Sequence, residues 1–353
     1  MRLCQLLWLS CLACGAAGCS STAGDAFTSA TAGATGNPGS GGSGGASTSM
    51  AGAGGDGQTV DRTPVLLGQP QGSGSNLHNG FLTLDSDNVY FGYLGTPNGG
   101  IDRVPKDGSS NPTCILCDGG VPRDLATDGV HVYWTDNGVT PNEVRRVAIG
   151  GGTVQTLWSG QLAGGYPTPV AIDSSHVYWY ANNNGSVMQA ALDGSNPTAV
   201  GSSSTPVTSI RVHGSHLYFS NNTEVWDQDL GSSSSPLRLA SGRPEPRSIA
   251  VDDTHVYWAE GRWNQPDNAV QRVPVGGGTM ETCTTIAVST IAIDATQLYG
   301  ADGAGGLIWR IAKGGGTPTV LASGQPAPWD IAVDTRHVYW SSEENGEVYR
   351  VAK

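Results

Sequence analysis

The chain has 353 residues, room for one large domain or two ordinary ones, and its 18 basic and 30 acidic side chains leave a net charge of −12. An acidic surface without a Lys/Arg cluster repels phosphate backbones and anionic lipid, which argues against nucleic-acid binding and against attachment through a basic patch. With only 14% charged residues, 52 Gly, 11 Tyr and 10 Trp, the composition suits an all-β protein rich in tight turns.

The opening MRLCQLLWLSCLACGAAGCSS carries one cation, Arg2, and then an apolar stretch to about Ala17. That stretch is too short to span a bilayer, which takes roughly 20 apolar residues, and it reads as an export signal. The segment Ala16-Ala17-Gly18-Cys19 resembles the lipobox of bacterial lipoproteins, with cleavage after Gly18 and Cys19 as lipid acceptor. Ala16 departs from the Leu preferred three residues before the Cys, and the other reading is an ordinary cleaved signal. The resemblance implies a signal peptide over 1–18 and a cell-envelope protein held to the membrane by its lipid alone. Ser20 after the Cys implies the outer membrane by the sorting rule of enteric-type bacteria. Residues 19–60 then hold the lipidated Cys and a Ser/Thr/Ala/Gly stretch too poor in apolar residues to fold, expected to be a disordered tether.

From residue 61 onward one phrase recurs seven times: LTLDSDNVYF, LATDGVHVYW, VAIDSSHVYW, IRVHGSHLYF, IAVDDTHVYW, IAIDATQLYG and IAVDTRHVYW. Its tyrosines (Tyr90, Tyr133, Tyr178, Tyr218, Tyr257, Tyr299, Tyr339) are spaced by 39 to 45 residues. Each phrase is followed by two more apolar segments, as in EVRRVAIGG and TVQTLWSG, so each unit reads as four short strands separated by Asp, Gly and Pro turns. Four strands in about 40 residues make the blade of a β-propeller. The predicted fold of 61–353 is a seven-bladed propeller of four antiparallel strands per blade. The last unit stops after its third strand, and TPVLLGQP (63–70) matches the missing fourth, TPTVLASGQP (317–326). An N-terminal strand completing the last blade would remove the open edges.

These phrases resemble the YWTD-type repeats, and more closely those of uncharacterised secreted bacterial propellers with "AVDxxHVYW" units. The resemblance concerns fold, since propellers host unrelated activities.

Repetition also sorts the reactive residue types. His131, His176, His216, His255 and His337 share one repeat slot, with His213 close by in the fourth unit, and serve the blade. The turn aspartates (Asp85, Asp128, Asp173, Asp252, Asp294, Asp334) and the third-strand arginines (Arg103, Arg146, Arg272, Arg310, Arg350) read the same way. Cys114 and Cys117 lie three apart on a fourth strand, where an exported protein can form a local disulfide. No P-loop, GxSxG, HExxH or calcium loop is present, and no catalytic set, metal site or cofactor is expected.

Function is then sought on the variable loops around the channel mouth. The candidates there are His78, Arg123, Asp124, Tyr166, Arg247, Glu260, Trp329 and Asp330. They suit a non-catalytic, monomeric module that binds a protein, a glycan or a small polar ligand. The alternative is a metal-dependent lyase or hydrolase: the repeated phrase also resembles that of the seven-bladed streptogramin lyases. That family implies a functional-face His, for which His78 is the one candidate outside the repeated slot.

Overall fold

The computed structural model describes residues 62–71, 75–96, 99–162, 168–181, 185–261 and 268–353. The signal segment, Cys19, the stretch to residue 60 and Tyr166 lie outside them. Each repeat folds as a four-stranded antiparallel sheet, its strands running in chain order from the axis outward: 75–120, 122–160, 170–202, 207–240, 247–284 and 290–322. The seventh sheet combines 328–352 with the N-terminal strand Val65–Gly68, which runs antiparallel to Val348–Ala352 with Val65 opposite Arg350. The ring closes as its sequence register requires, and no helix is present among the described residues.

The repeated phrase becomes the innermost strand, a tight turn and the second strand. In the turn of six blades one Asp oxygen accepts two backbone N–H groups and the other accepts from a Tyr hydroxyl. Asp128 Oδ1 takes the N–H of Val130 and His131 (2.8 and 2.6 Å), while Oδ2 accepts from Tyr133 Oη at 2.8 Å. The same Tyr-to-Asp bond recurs from Tyr90, Tyr178, Tyr257, Tyr299 and Tyr339. Burial and the Asp128 carboxylate together push the Tyr133 phenol up to about 12, so it stays a donor. In the fourth blade His213 replaces the Asp and is hydrogen-bonded to Asp253 of the next blade at 2.8 Å. The slot histidines sit two residues before the tyrosines on the same strand face, their ring centroids 5.9–6.1 Å away. They are blade parts.

The second strands are buried almost throughout, because each blade is covered by a neighbour on both faces. Seven apolar clusters fill the joints, and each draws on two adjacent blades. At the closing joint Leu67, Tyr339 and Val348 meet Leu82, Val89, Phe91 and Val104. Third-strand arginines cross the joints as well: Arg103 donates to the carbonyl of Ile149, Arg146 to Leu192, Arg272 to Lys313 and Arg350 to Lys106. Lysines cross in the opposite sense, Lys106 to Asp334, Lys313 to Asp252 and Lys353 to Asp294. Cys114 and Cys117 are joined as a disulfide on an outermost strand, while Cys283 is a buried free thiol pushed up to about 11 by that burial.

Candidate functional site

Seven residues at equivalent repeat positions, each just before the recurring phrase, form a ring around the axis: Phe81, Asp124, Pro169, Ser209, Ser248, Thr290 and Asp330. Four of them accept a backbone N–H from the next blade. Asp124 takes that of Val170 (3.0 Å), Ser209 that of Ile249 (3.1 Å), Ser248 that of Ile291 (2.9 Å) and Asp330 that of Leu82 (3.0 Å). These strand-edge groups sit where water is scarce, so an acceptor supplied by the neighbouring blade satisfies them.

The two aspartates differ from the hydroxyls in bringing charge. Burial pushes Asp124 up to about 7, with the nearby Asp330 carboxyl adding to the rise and Arg211 opposing it. Asp330 is raised for the same main reason, although it accepts from Leu82 N, Ile331 N and Thr290 Oγ1 and feels Arg211. Arg211 stands two positions further along the fourth blade's innermost strand than Ser209. Five blades place Ala there (Ala126, Ala171, Ala250, Ala292, Ala332) and the first places Thr83.

Asp124, Arg211 and Asp330 lie where two cavities meet. Below them the axial channel, about 430 Å³, is lined by innermost strands of all seven blades. Above them opens a mouth cavity of about 280 Å³, lined by those three with Phe81, Thr208, Ser209, Asn222, Glu245, Pro246, Arg247, Ser248, Ser289, Thr290 and Trp329. Its walls differ. Phe81 and Trp329 come from the adjoining first and seventh blades, while the hydroxyls, Asn222, Glu245 and Arg247 come from the fourth to sixth.

The polar wall is shaped by the segment joining the fourth and fifth blades. Glu245 and Ser248 both hold positive φ, 50° and 49°, a region that costs a non-glycine residue about 1 kcal/mol or more. Neighbouring bonds hold the segment in place. Arg243 N and Glu245 N donate to the carbonyls of Thr223 and Asn222 (2.9 and 3.1 Å), and Gly261 N donates to Pro244 O at 2.6 Å. Arg247 reaches the carbonyl of Gly261, and Arg243 pairs with Glu260.

Of the residues expected at the mouth, Asp124, Arg247, Trp329 and Asp330 line this cavity. Arg123 and Glu260 are not among the lining residues. Glu260 is 2% exposed, and its carboxylate is bonded by Arg243, Trp258 Nε1 (2.9 Å) and Gln271 Nε2 (2.8 Å), so it anchors the joint instead. His78 belongs to the first blade's innermost strand, with its backbone opposite Leu94, and its side chain lies outside the described residues. The sequence reading missed Arg211, Glu245, Asn222 and Phe81. Arg211 had a signal, since IRVH is the one phrase with a charge in the Ala slot. Among the described residues no group of three or more His, Cys, Asp or Glu is placed to hold a metal ion.

No protein-family model matches the chain, and no curated protein matches it. Solved structures do match in shape. A catalytically inactive virginiamycin B lyase from Staphylococcus aureus, crystallised with quinupristin, superposes with a TM-score of 0.64 at 13% identity over 82% of this chain and 98% of the other. A selenomethionine form of the same lyase gives 0.64 at 14% identity, over the same shares. A computationally designed protein gives 0.56 at 14% identity over 82% of this chain and 99% of its own. At such identities the likeness is one of fold.

Proposed function

We propose that the chain is an exported, lipid-anchored, non-catalytic module that binds a small polar ligand in the mouth cavity. The observation carrying this reading is the convergence of departures from the repeat. Asp124 and Asp330 replace hydroxyl or apolar residues at one slot, Arg211 replaces Ala two residues on, and all three line the cavity floor. The three departures come from three different blades and converge on one cavity. The cavity's volume is close to the lower end of small-molecule sites, about 300 Å³, and its mixture of apolar wall and convergent polar groups is typical of them.

A lyase reading has less support, since a shared fold transfers no activity. The anchor follows from Cys19, through which the propeller would be held at the outer membrane.

Ligand binding is tested by thermal shift of the full chain against a panel of amino acids, short peptides, organic acids, amines, saccharides and nucleotides. A ligand that stabilises the protein and loses this effect in Trp329→Ala and Arg247→Ala, with the unliganded melting curve still cooperative, supports the mouth. Stabilisation untouched by both changes, or no stabilisation by any class, overturns it. For the anchor, Cys19→Ser should move the protein from the membrane to the soluble fraction.

A further inference from the structure

The mouth cavity has an aromatic side and a polar side, and its charges are mixed rather than of one sign. Arg211 and Arg247 stand among three carboxyl groups, Asp124, Asp330 and Glu245. Arg211 acts electrostatically on both aspartates, which also repel one another. A cationic ligand would meet the two guanidinium groups, and an anionic one the carboxylates. A neutral molecule with many hydroxyls can use both, accepting from arginine and donating to carboxylate, while a face of C–H groups rests on an aromatic ring.

We propose that the cavity holds one neutral saccharide unit, its apolar face against Trp329 and Phe81 and its hydroxyls bonded across the cavity to Arg211, Asp330 and Asn222. This rests on the reading of the mouth as a ligand site and adds the ligand's class. The size agrees: about 280 Å³ above a floor of charged side chains suits one sugar ring. The polar partners are also pre-positioned. Asp330 is held by three hydrogen bonds, and the strained Glu245–Ser248 segment is fixed by its neighbours, so little ordering entropy is lost on binding.

The source could be a free mono- or disaccharide or the exposed end of a polysaccharide, and the experiment separates them. The full chain is titrated calorimetrically with hexoses, N-acetylhexosamines, their disaccharides and neutral polysaccharides, beside amino acids, short peptides, organic acids and amines. Saccharide binding weakened about tenfold or more in both Trp329→Ala and Arg211→Ala is the expected result. Arg211→Ala also guards against misfolding, because five blades already carry Ala at that slot. Asn222→Ala, at an exposed position, is a further variant that leaves the core alone. Binding of polysaccharide alone identifies the chain end as the source, and binding of small sugars identifies the free form; both support the proposal. If peptides, acids or amines bind at the mouth and saccharides do not, the saccharide assignment falls and the ligand site stands. If saccharides bind equally well to all three variants, the proposal is overturned. If nothing binds, both readings fall.

Discussion

Asp330 accepts the backbone N–H of Leu82 at 3.0 Å, and that one bond passes from the last blade of the chain to the first. The same carboxyl takes the N–H of Ile331 and the hydroxyl of Thr290 from the sixth blade, so it ties three blades together at the cavity floor. Replacing it with Ala leaves two enclosed backbone donors without their acceptor, a loss of about 1–3 kcal/mol for each such group. Asp330→Ala should therefore lower the urea midpoint with little change in the slope of the transition. Asp330→Asn, which retains an accepting oxygen, should lose less.

Asp124 makes stability depend on pH in a particular direction. Its folded value, raised to about 7 by burial, lies above the ordinary aspartate value of about 3.9. Between these the folded state binds the extra proton, so stability declines as pH rises from about 4 to 7. Asp330, raised in the same way, adds to the decline. Asp124→Asn should flatten the melting temperature over this window. Arg211→Ala, which removes the charge favouring ionisation, should steepen the decline and move its end to higher pH.

The turn locks have the opposite sign. Burial disfavours the Asp334 carboxylate, but N–H donors of Arg336 and His337, with Tyr339 and Lys106, outweigh it and hold the group down at about 2. Its stabilising effect is complete above about pH 4 and is lost as pH falls through about 2. Asp252 and Asp294, each bonded to a lysine of the next blade, are lowered likewise. Acidification below pH 4 should loosen the joints together, and Lys106→Met should shift this acid transition upward. Circular dichroism at a series of pH values would show it.

Closure gives a further expectation. Leu67 on the N-terminal strand is 6% exposed and packs in the joint between the seventh and first blades, beside Tyr339, Val348 and Leu82. Leu67→Ala should cost about 2 kcal/mol or more through the cavity it leaves. Removing residues 62–71 should abolish the cooperative transition, because the outer edge of the last blade would lose its fourth strand. A truncated chain that still melts cooperatively at the same temperature would contradict this closure.

Much of this architecture was legible because a propeller repeats its instructions. The seven tyrosines, the turn aspartates and the match of 63–70 to the fourth-strand segment 317–326 specify blades and closure together. The site was less legible, since loop position alone could not tell a cavity wall from a structural clamp. Glu260 and Asp330 look alike in sequence, yet one carboxylate is sealed by Arg243, Trp258 and Gln271 while the other lines the mouth. Arg211 was readable as an exception to the Ala slot, but its effect on two aspartates from other blades depends on ring geometry that no local pattern carries.

The sixth blade shows the same principle in its core. Its phrase ends Tyr299-Gly300 where other blades have Tyr-Trp or Tyr-Phe, which in sequence reads as a missing aromatic. Gly300 lies opposite Trp309 of the third strand, and a Cβ at Gly300 would come within 2.1 Å of the indole. The space vacated on one strand is filled by the ring of the next, 0% exposed, with Nε1 donating to the carbonyl of Ala287 at 3.2 Å. Gly300→Ala should destabilise by about 1–3 kcal/mol through overpacking, and Trp309→Ala by about 3–5 kcal/mol through the cavity. In the double variant the new methyl enters space the indole has left, so the combined loss should fall short of the sum by 0.5 kcal/mol or more, a coupling measurable by a double-mutant cycle in urea. Strict additivity would mean that the two residues do not share one volume.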